Sequence, residues 1–195
     1  YKCFGCGAGG GTINFIMEIE QLEFIDAIKY IANRYNIELN IDNGSSFSKD
    51  NKTLLIQLHN KASTIFQQNL HSKDGEKVLS YLLDRGIKHN TIKEFSIGLS
   101  LSKTNALLNI MRSFDFKVEI MKQSGLFIDS EKGYFDRFRN RIMFSIPDAL
   151  NNIIAFAGRT FESTNSAKYL NSPETPIYNK SRVLYGINKA KAEIK

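Results

Sequence analysis

Basic side chains recur at strand spacing between residues 134 and 186 of this 195-residue chain, and that pattern suits phosphate chemistry. The run reads YFDRFRNRIMFSIPD, then NNIIAFAGRTF, then AKYLNSPETPIYNKSRVLYG. Residues two apart on a strand share a face. Arg137, Arg139 and Arg141 are therefore expected on one side, with Phe138, Ile142, Phe144 and Ile146 buried on the other. Residues 147–152 supply turn chemistry, with Asn151 and Asn152 tolerant of positive φ. Residues 153–161 read as a return strand ending near Arg159, and Lys168, Asn171, Lys180 and Arg182 follow on irregular backbone around Pro173 and Pro176. The predicted unit is a twisted hairpin with an apolar face and a basic face. Cations on such a scaffold can cradle a polyanion. The same arginines could instead form a solvated face, ion-paired to Asp136, Asp148, Glu162 and Glu174.

A second chemistry opens the chain, at Cys3-Phe4-Gly5-Cys6-Gly7. Two thiolates separated by two residues can chelate one Zn²⁺, and glycines let the backbone turn tightly around the metal. A closed structural site takes four ligands. His59, His71 and His89 are isolated and far along the chain, so the other two ligands are expected upstream of Tyr1. A redox pair or a chance pair are the competing readings of the two cysteines. With no further cysteine there is no disulfide framework, and a cytoplasmic setting is expected.

Charge points the same way as the basic run. Residues 1–130 hold 15 Lys+Arg against 14 Asp+Glu, whereas residues 131–195 hold 11 against 6. Nearly all of the net +6 therefore lies in the last third. A pI of 9.2 favours an anionic partner. No apolar run is long enough to span a bilayer and no basic amphipathic helix accompanies the charge, so nucleic acid is preferred over a membrane surface.

These groups need elements to position them. Apolar residues from Ile13 to Ile31 fit helical spacing, and residues 23–35 read as an amphipathic helix behind the cysteine knuckle. Residues 42–52 are polar and Gly/Ser-bearing, which reads as a linker. Helices are expected over 54–70, 74–85, 90–95, 105–111 and 118–123. The fold class is α+β: a zinc-ribbon remnant with a helix (1–41), a linker (42–52), then a helical block and a mixed, twisted β-sheet subdomain (53–195).

The chain resembles bacterial DNA primases of the DnaG type along nearly its whole length. The resemblance is carried by YKCFGCGAGG at the start, by YLLDRGIKHNTIKEFSIGLS at residues 81–100, and by FDRFRNRIMF, GRTF and KYLNSPETP. It implies the end of a zinc-binding domain followed by the N-terminal subdomain of a primase RNA polymerase core. Cys3 and Cys6 would then be two of four zinc ligands. Arg139, Arg141, Arg159, Lys168, Asn171, Lys180 and Arg182 would track template backbone or nucleotide phosphates, and Arg85 would match a basic position that relatives turn toward template or nucleotide. The family's catalytic carboxylates belong to a Toprim subdomain holding Mg²⁺ or Mn²⁺. They are expected beyond Lys195, so no catalytic residue is assigned here. The resemblance further implies ribonucleotides, an RNA primer and a replicative helicase as partners. Ser145, Ala155, Ala157, Ala167 and Asn179 depart from the family pattern, which has Pro, Gly, Gly, Pro and His there.

Two functions follow. Either the chain is part of a DNA-directed RNA polymerase that lays short RNA primers on single-stranded DNA, this portion being inactive alone. Or it is a non-catalytic zinc-ribbon module that only grips single-stranded nucleic acid.

Overall fold

The computed structural model describes residues 1–39 apart from 8 and 21, then 46–131, 133–162 and 167–190. Two compact units divide the chain, Tyr1–Ser45 and Ser46–Lys195.

The first unit is a knuckle followed by two helices. Lys2 pairs with Gly9 in an antiparallel bridge, and the Gly7 N–H donates to the Cys3 carbonyl at 2.9 Å. Gly7 takes φ +78°, a conformation open to glycine at little cost. Helices α1 (Thr12–Glu20) and α2 (Phe24–Tyr35) follow, and α2 matches the amphipathic helix expected over 23–35. Ala27 and Ala32 are the buried positions of α2, which Asn36 ends in the left-handed region.

The second unit is built on α3 (Ser46–Leu70), a helix of 25 residues and thus about 37 Å long. Residues 46–52, expected as linker, are helical; residues 42–45 lie outside the described residues. Leu55, Leu58, Ala62, Ile65 and Phe66 form a buried stripe at helical spacing. The helices α4 (Glu76–Asp84), α5 (His89–Glu94), α6 (Ala106–Met111) and α7 (Val118–Gln123) match the predicted helical block, and α8 (Ile187–Ala190) closes the described chain.

Strands β1 (Gly98–Ser100), β4 (Arg141–Pro147), β5 (Ile153–Arg159) and β6 (Tyr169–Asn171) form one antiparallel sheet in the order β1-β4-β5-β6. Strands β2 (Phe127–Ser130) and β3 (Gly133–Asp136) form a separate hairpin. Met143 and Phe156 face α3. On the opposite face Leu99 and Ile142 lie under α4 and α5, and Ile146 and Ala155 lie under Tyr178. The turn joining β4 to β5 is closed by Asp148, whose Oδ1 accepts from the N–H of Leu150 and of Asn152 at 2.8 Å each. Asn151 takes φ +65° there, as its residue type suggested.

The hairpin with one apolar and one basic face is not what forms. Both faces of β4 are covered, and only Phe144 and Pro147 are half-exposed along it. The run from Arg137 to Arg141 is not one strand either. β3 ends at Asp136, and Asn140 at φ +51° turns the chain into β4 in the other sheet. The alternation that placed Arg137, Arg139 and Arg141 on one face is broken there.

Asp136 explains where β3 stops. Its carboxylate accepts from the Leu107 N–H at 2.8 Å and the Leu108 N–H at 2.9 Å, supplying the N-terminal cap that α6 lacks locally. Burial raises its pKa, while those two N–H bonds and the Arg139 charge pull it back. Replacing Asp136 with Ala should lower stability by about 2 kcal/mol, because two buried N–H groups lose their acceptor. A urea midpoint equal to that of the wild type would contradict this.

Candidate nucleic-acid interface

Strand β6 pairs with β5 so that Tyr169 lies opposite Arg159 and Asn171 lies opposite Ala157. Directly paired residues share a face, so Arg159, Tyr169 and Asn171 stand together on the face away from α3. The Arg159 guanidinium lies 5.6 Å from the Tyr169 ring centroid, and Lys168 Nζ lies 5.9 Å from the same ring. Tyr169 is nonetheless 60% exposed, so an aromatic surface flanked by two cations meets solvent.

The segment carrying Lys180 and Arg182 is anchored on this face. Tyr178 is buried against Ile146 and Ala155, with Val183 packed beside it. Ala155 shares the side of β5 that bears Arg159. Between these anchors the backbone is a built turn. Thr175 and Tyr178 form an antiparallel bridge, Glu174 Oε1 accepts from the Lys180 N–H at 2.9 Å, and Asn179 Oδ1 accepts from the Ser181 hydroxyl at 2.7 Å. Both cationic side chains are exposed. The alanine methyls at 155 and 157 fill space beneath Tyr178 without displacing the charges.

The other predicted residues lie apart. Arg85 caps the C-terminal end of α4; its N-terminal turn meets Glu162 through Lys77 Nζ at 3.2 Å, about 12 Å away along the helix. Arg139 is exposed on the corner after β3, with its guanidinium 6.0 Å from the Phe135 ring. Arg141 is buried and on the α3 face, opposite to Arg159. Burial pulls the pKa of both Arg137 and Arg141 below the ordinary guanidinium range.

The acids proposed as ion-pair partners have structural tasks, although the Arg139 charge also acts on Asp136. Asp136 holds α6, Asp148 closes its own turn, Glu162 takes Lys77 and the Asn140 amide, and Glu174 takes a backbone N–H. Among Phe135, Phe138, Tyr169 and Tyr178, Phe138 and Tyr178 are buried in the core and Phe135 is half-buried, whereas Tyr169 is exposed and free to stack on a base. The pairing of Tyr169 with Arg159 across a nine-residue connection had no signal in the local sequence.

In the first unit Cys3 and Cys6 are both exposed. Hydrogen bonds from the Cys6 backbone and thiol, and from the Gly5 backbone, hold the Cys3 thiol below its ordinary pKa. Donors converging on a thiolate are what a zinc knuckle presents, so the two residues fit half of a tetrahedral site. Among the described residues no group of three or more His, Cys, Asp or Glu side chains converges. No helix among them is long and apolar enough to cross a membrane.

Comparison with known proteins gives the family. Residues 65–191 match the family described as "DNA primase catalytic core, N-terminal domain", and residues 1–46 match "CHC2 zinc finger". The DNA primase of Clostridium acetobutylicum is 37% identical over 193 residues, covering 97% of this chain and 32% of that protein. A DnaG primase catalytic domain solved bound to ssDNA superposes with TM-score 0.66 at 32% identity, covering 74% of this chain and 45% of that one. The zinc-binding and RNA polymerase domains of the Aquifex aeolicus primase match with TM-score 0.68 at 27% identity, covering all of this chain and 46% of that one. The chain thus spans about a third of the length of the curated relative. Its zinc-finger segment, its α3-backed antiparallel sheet and these matches place the chain in the DnaG-type DNA primase family.

Proposed function

We propose that this chain is the template-gripping portion of a cytoplasmic primase that polymerises short RNA primers on single-stranded DNA. The Arg159–Tyr169–Lys168 cluster carries the reading. Backbone neutralisation by cations combined with an exposed ring is how single strands are held without sequence preference. Asn171, Lys180 and Arg182 extend the cluster along the same face, and Arg85 and Arg139 add outlying cations. Ribonucleotides and the growing primer present the same phosphates. Residues 1–45 hold the zinc-binding end, and residues 46–195, opening on α3, form the core's first subdomain.

Cys3 and Cys6 would hold Zn²⁺, which when bound supplies a structural crosslink. The Mg²⁺ or Mn²⁺ and the acids of nucleotidyl transfer, like the helicase contact, belong to further parts of a complete primase. This chain alone is therefore expected to bind single strands and to make no primer. A template-dependent RNA product from it in Mg²⁺ and nucleotides would overturn that half of the proposal.

The grip is tested with labelled oligo-dT over a salt series. Arg159→Ala should flatten the slope of log K against log salt by about 0.7, the value for one lost phosphate contact on a single strand. Tyr169→Ala should weaken binding by roughly 1–3 kcal/mol, the range for one lost base stack, with the slope kept. If both variants bind as the wild type does, the cluster is not the grip.

A further inference from the structure

Arg141 was grouped with the phosphate contacts, and its surroundings give it a different task. It is 7% exposed and points to the α3 side of the sheet. Its backbone is pinned by the edge strand: the Arg141 N–H donates to Ser100 Oγ at 3.1 Å, and Ser100 Oγ donates to the Arg141 carbonyl at 3.2 Å. Its side chain then runs across β5. A Cβ on Gly158 would fall 2.9 Å from Arg141 Cδ and 3.0 Å from Phe138 Cδ1, so the glycine leaves the channel for the arm. At the far side Arg141 Nη1 donates to the Ala167 carbonyl at 2.9 Å. The next carbonyl, that of Lys168, accepts from the Thr160 N–H at 3.0 Å. Two consecutive carbonyls are therefore fixed just before Tyr169.

We infer that Arg141 is a positioning residue: a strut from β4, across Gly158, to the backbone that presents Lys168 and Tyr169, and not itself a contact to the nucleic acid. Its value to function rests on the single-strand reading above; its mechanical role does not. A guanidinium suits the task because it stays charged when half-desolvated and offers several donors in a rigid fork.

Hydrogen exchange on this chain tests the strut directly. In Arg141→Met, which keeps the apolar stem and loses the guanidinium donors, the peptide covering residues 167–172 should exchange roughly tenfold faster, as expected when a local opening becomes easier. The α3 peptide covering residues 55–66 should keep its wild-type protection, and Arg141→Lys should restore part of the loss. Unchanged exchange at 167–172, or an equal rise in α3, would overturn the inference. Should Arg141→Met fail to fold, Arg141→Lys against wild type gives the same reading at smaller amplitude.

Oligo-dT binding supplies the second arm. Arg141→Met should weaken it several-fold, yet have no further effect in a Lys168→Ala/Tyr169→Ala background, since a residue acting through others is non-additive with them. A full additional loss in that background would make Arg141 a direct contact and overturn the inference. If the Lys168→Ala/Tyr169→Ala chain itself binds as wild type, the nucleic-acid reading of the cluster fails, and the exchange result still decides the strut.

Discussion

Replacing Gly98 with alanine is expected to cost about 3 kcal/mol or more of the second unit's stability. The added Cβ would sit 2.5 Å from the Phe66 backbone carbon and 2.7 Å from its carbonyl oxygen. Those atoms belong to α3, so no rotamer change relieves the overlap; the helix or the strand must move. β1 cannot yield easily. It is a three-residue strand pairing with β4 and tied to α3 by the Asn69 amide, which donates to the Leu99 carbonyl at 3.1 Å. Moving α3 off the sheet would open the packing of Leu58, Ala62 and Phe66 on Met143 and Phe156. Urea unfolding checks this, and a loss below about 1 kcal/mol would show that β1 and α3 separate with less strain than the distances imply.

Acidification should destabilise the fold through His59. This side chain is fully buried on α3, its ring stacked on that of Phe156 with centroids 5.8 Å apart and planes 8° from parallel. Its Nδ1 lies 2.7 Å from the Leu55 carbonyl, which fits the neutral tautomer with the proton on Nδ1. Burial pushes its pKa down to about 4, with the backbone bonds to Leu55 and Ser124 pulling partly the other way. The unfolded chain takes up a proton near pH 6.5 and the folded chain does not until about pH 4. Between those values the unfolded state binds more protons, so stability falls as pH falls, by about 3 kcal/mol over the window. Asp136 acts in the opposite sense, since its raised pKa makes protonation favour the folded form. His59→Phe, which keeps an aromatic ring beside Phe156, should flatten the dependence of the urea midpoint on pH between 7 and 4.5. An unchanged profile would mean that another group governs acid unfolding.

The sequence was informative wherever a local period decides structure, and silent wherever distant backbones meet. The helices over 76–84, 89–94, 106–111 and 118–123 follow their apolar spacing to within two or three residues. The turn before β5 follows from Asp148, whose carboxylate closes it, and from Asn151, whose backbone takes the positive φ its residue type tolerates. The corner at Asn140 was missed because period-two spacing continues through it, although an asparagine between two arginines offered a hint of positive φ. Arg159, Lys168 and Asn171 were named from sequence, but their grouping around Tyr169 was not legible, because register across β5 and β6 is set by their pairing and not by spacing. The opposite placement of Arg141 depends on the same break at Asn140. Gly98 and Gly158 carry no local signature at all, since what they admit is Phe66 from α3 and the Arg141 arm from β4.

The Ser63 and Ser145 hydroxyls, 2.8 Å apart in the core, are separated by 82 residues of chain. At a synthesis rate of roughly 5–20 residues per second, α3 leaves the ribosome some 4–16 s before the strand that covers it. Its stripe of Leu55, Leu58, Ala62 and Phe66 must wait in water for that interval. A stall between residues 70 and 140 would therefore lengthen the exposure of this apolar face and should raise the tendency of the nascent second unit to aggregate.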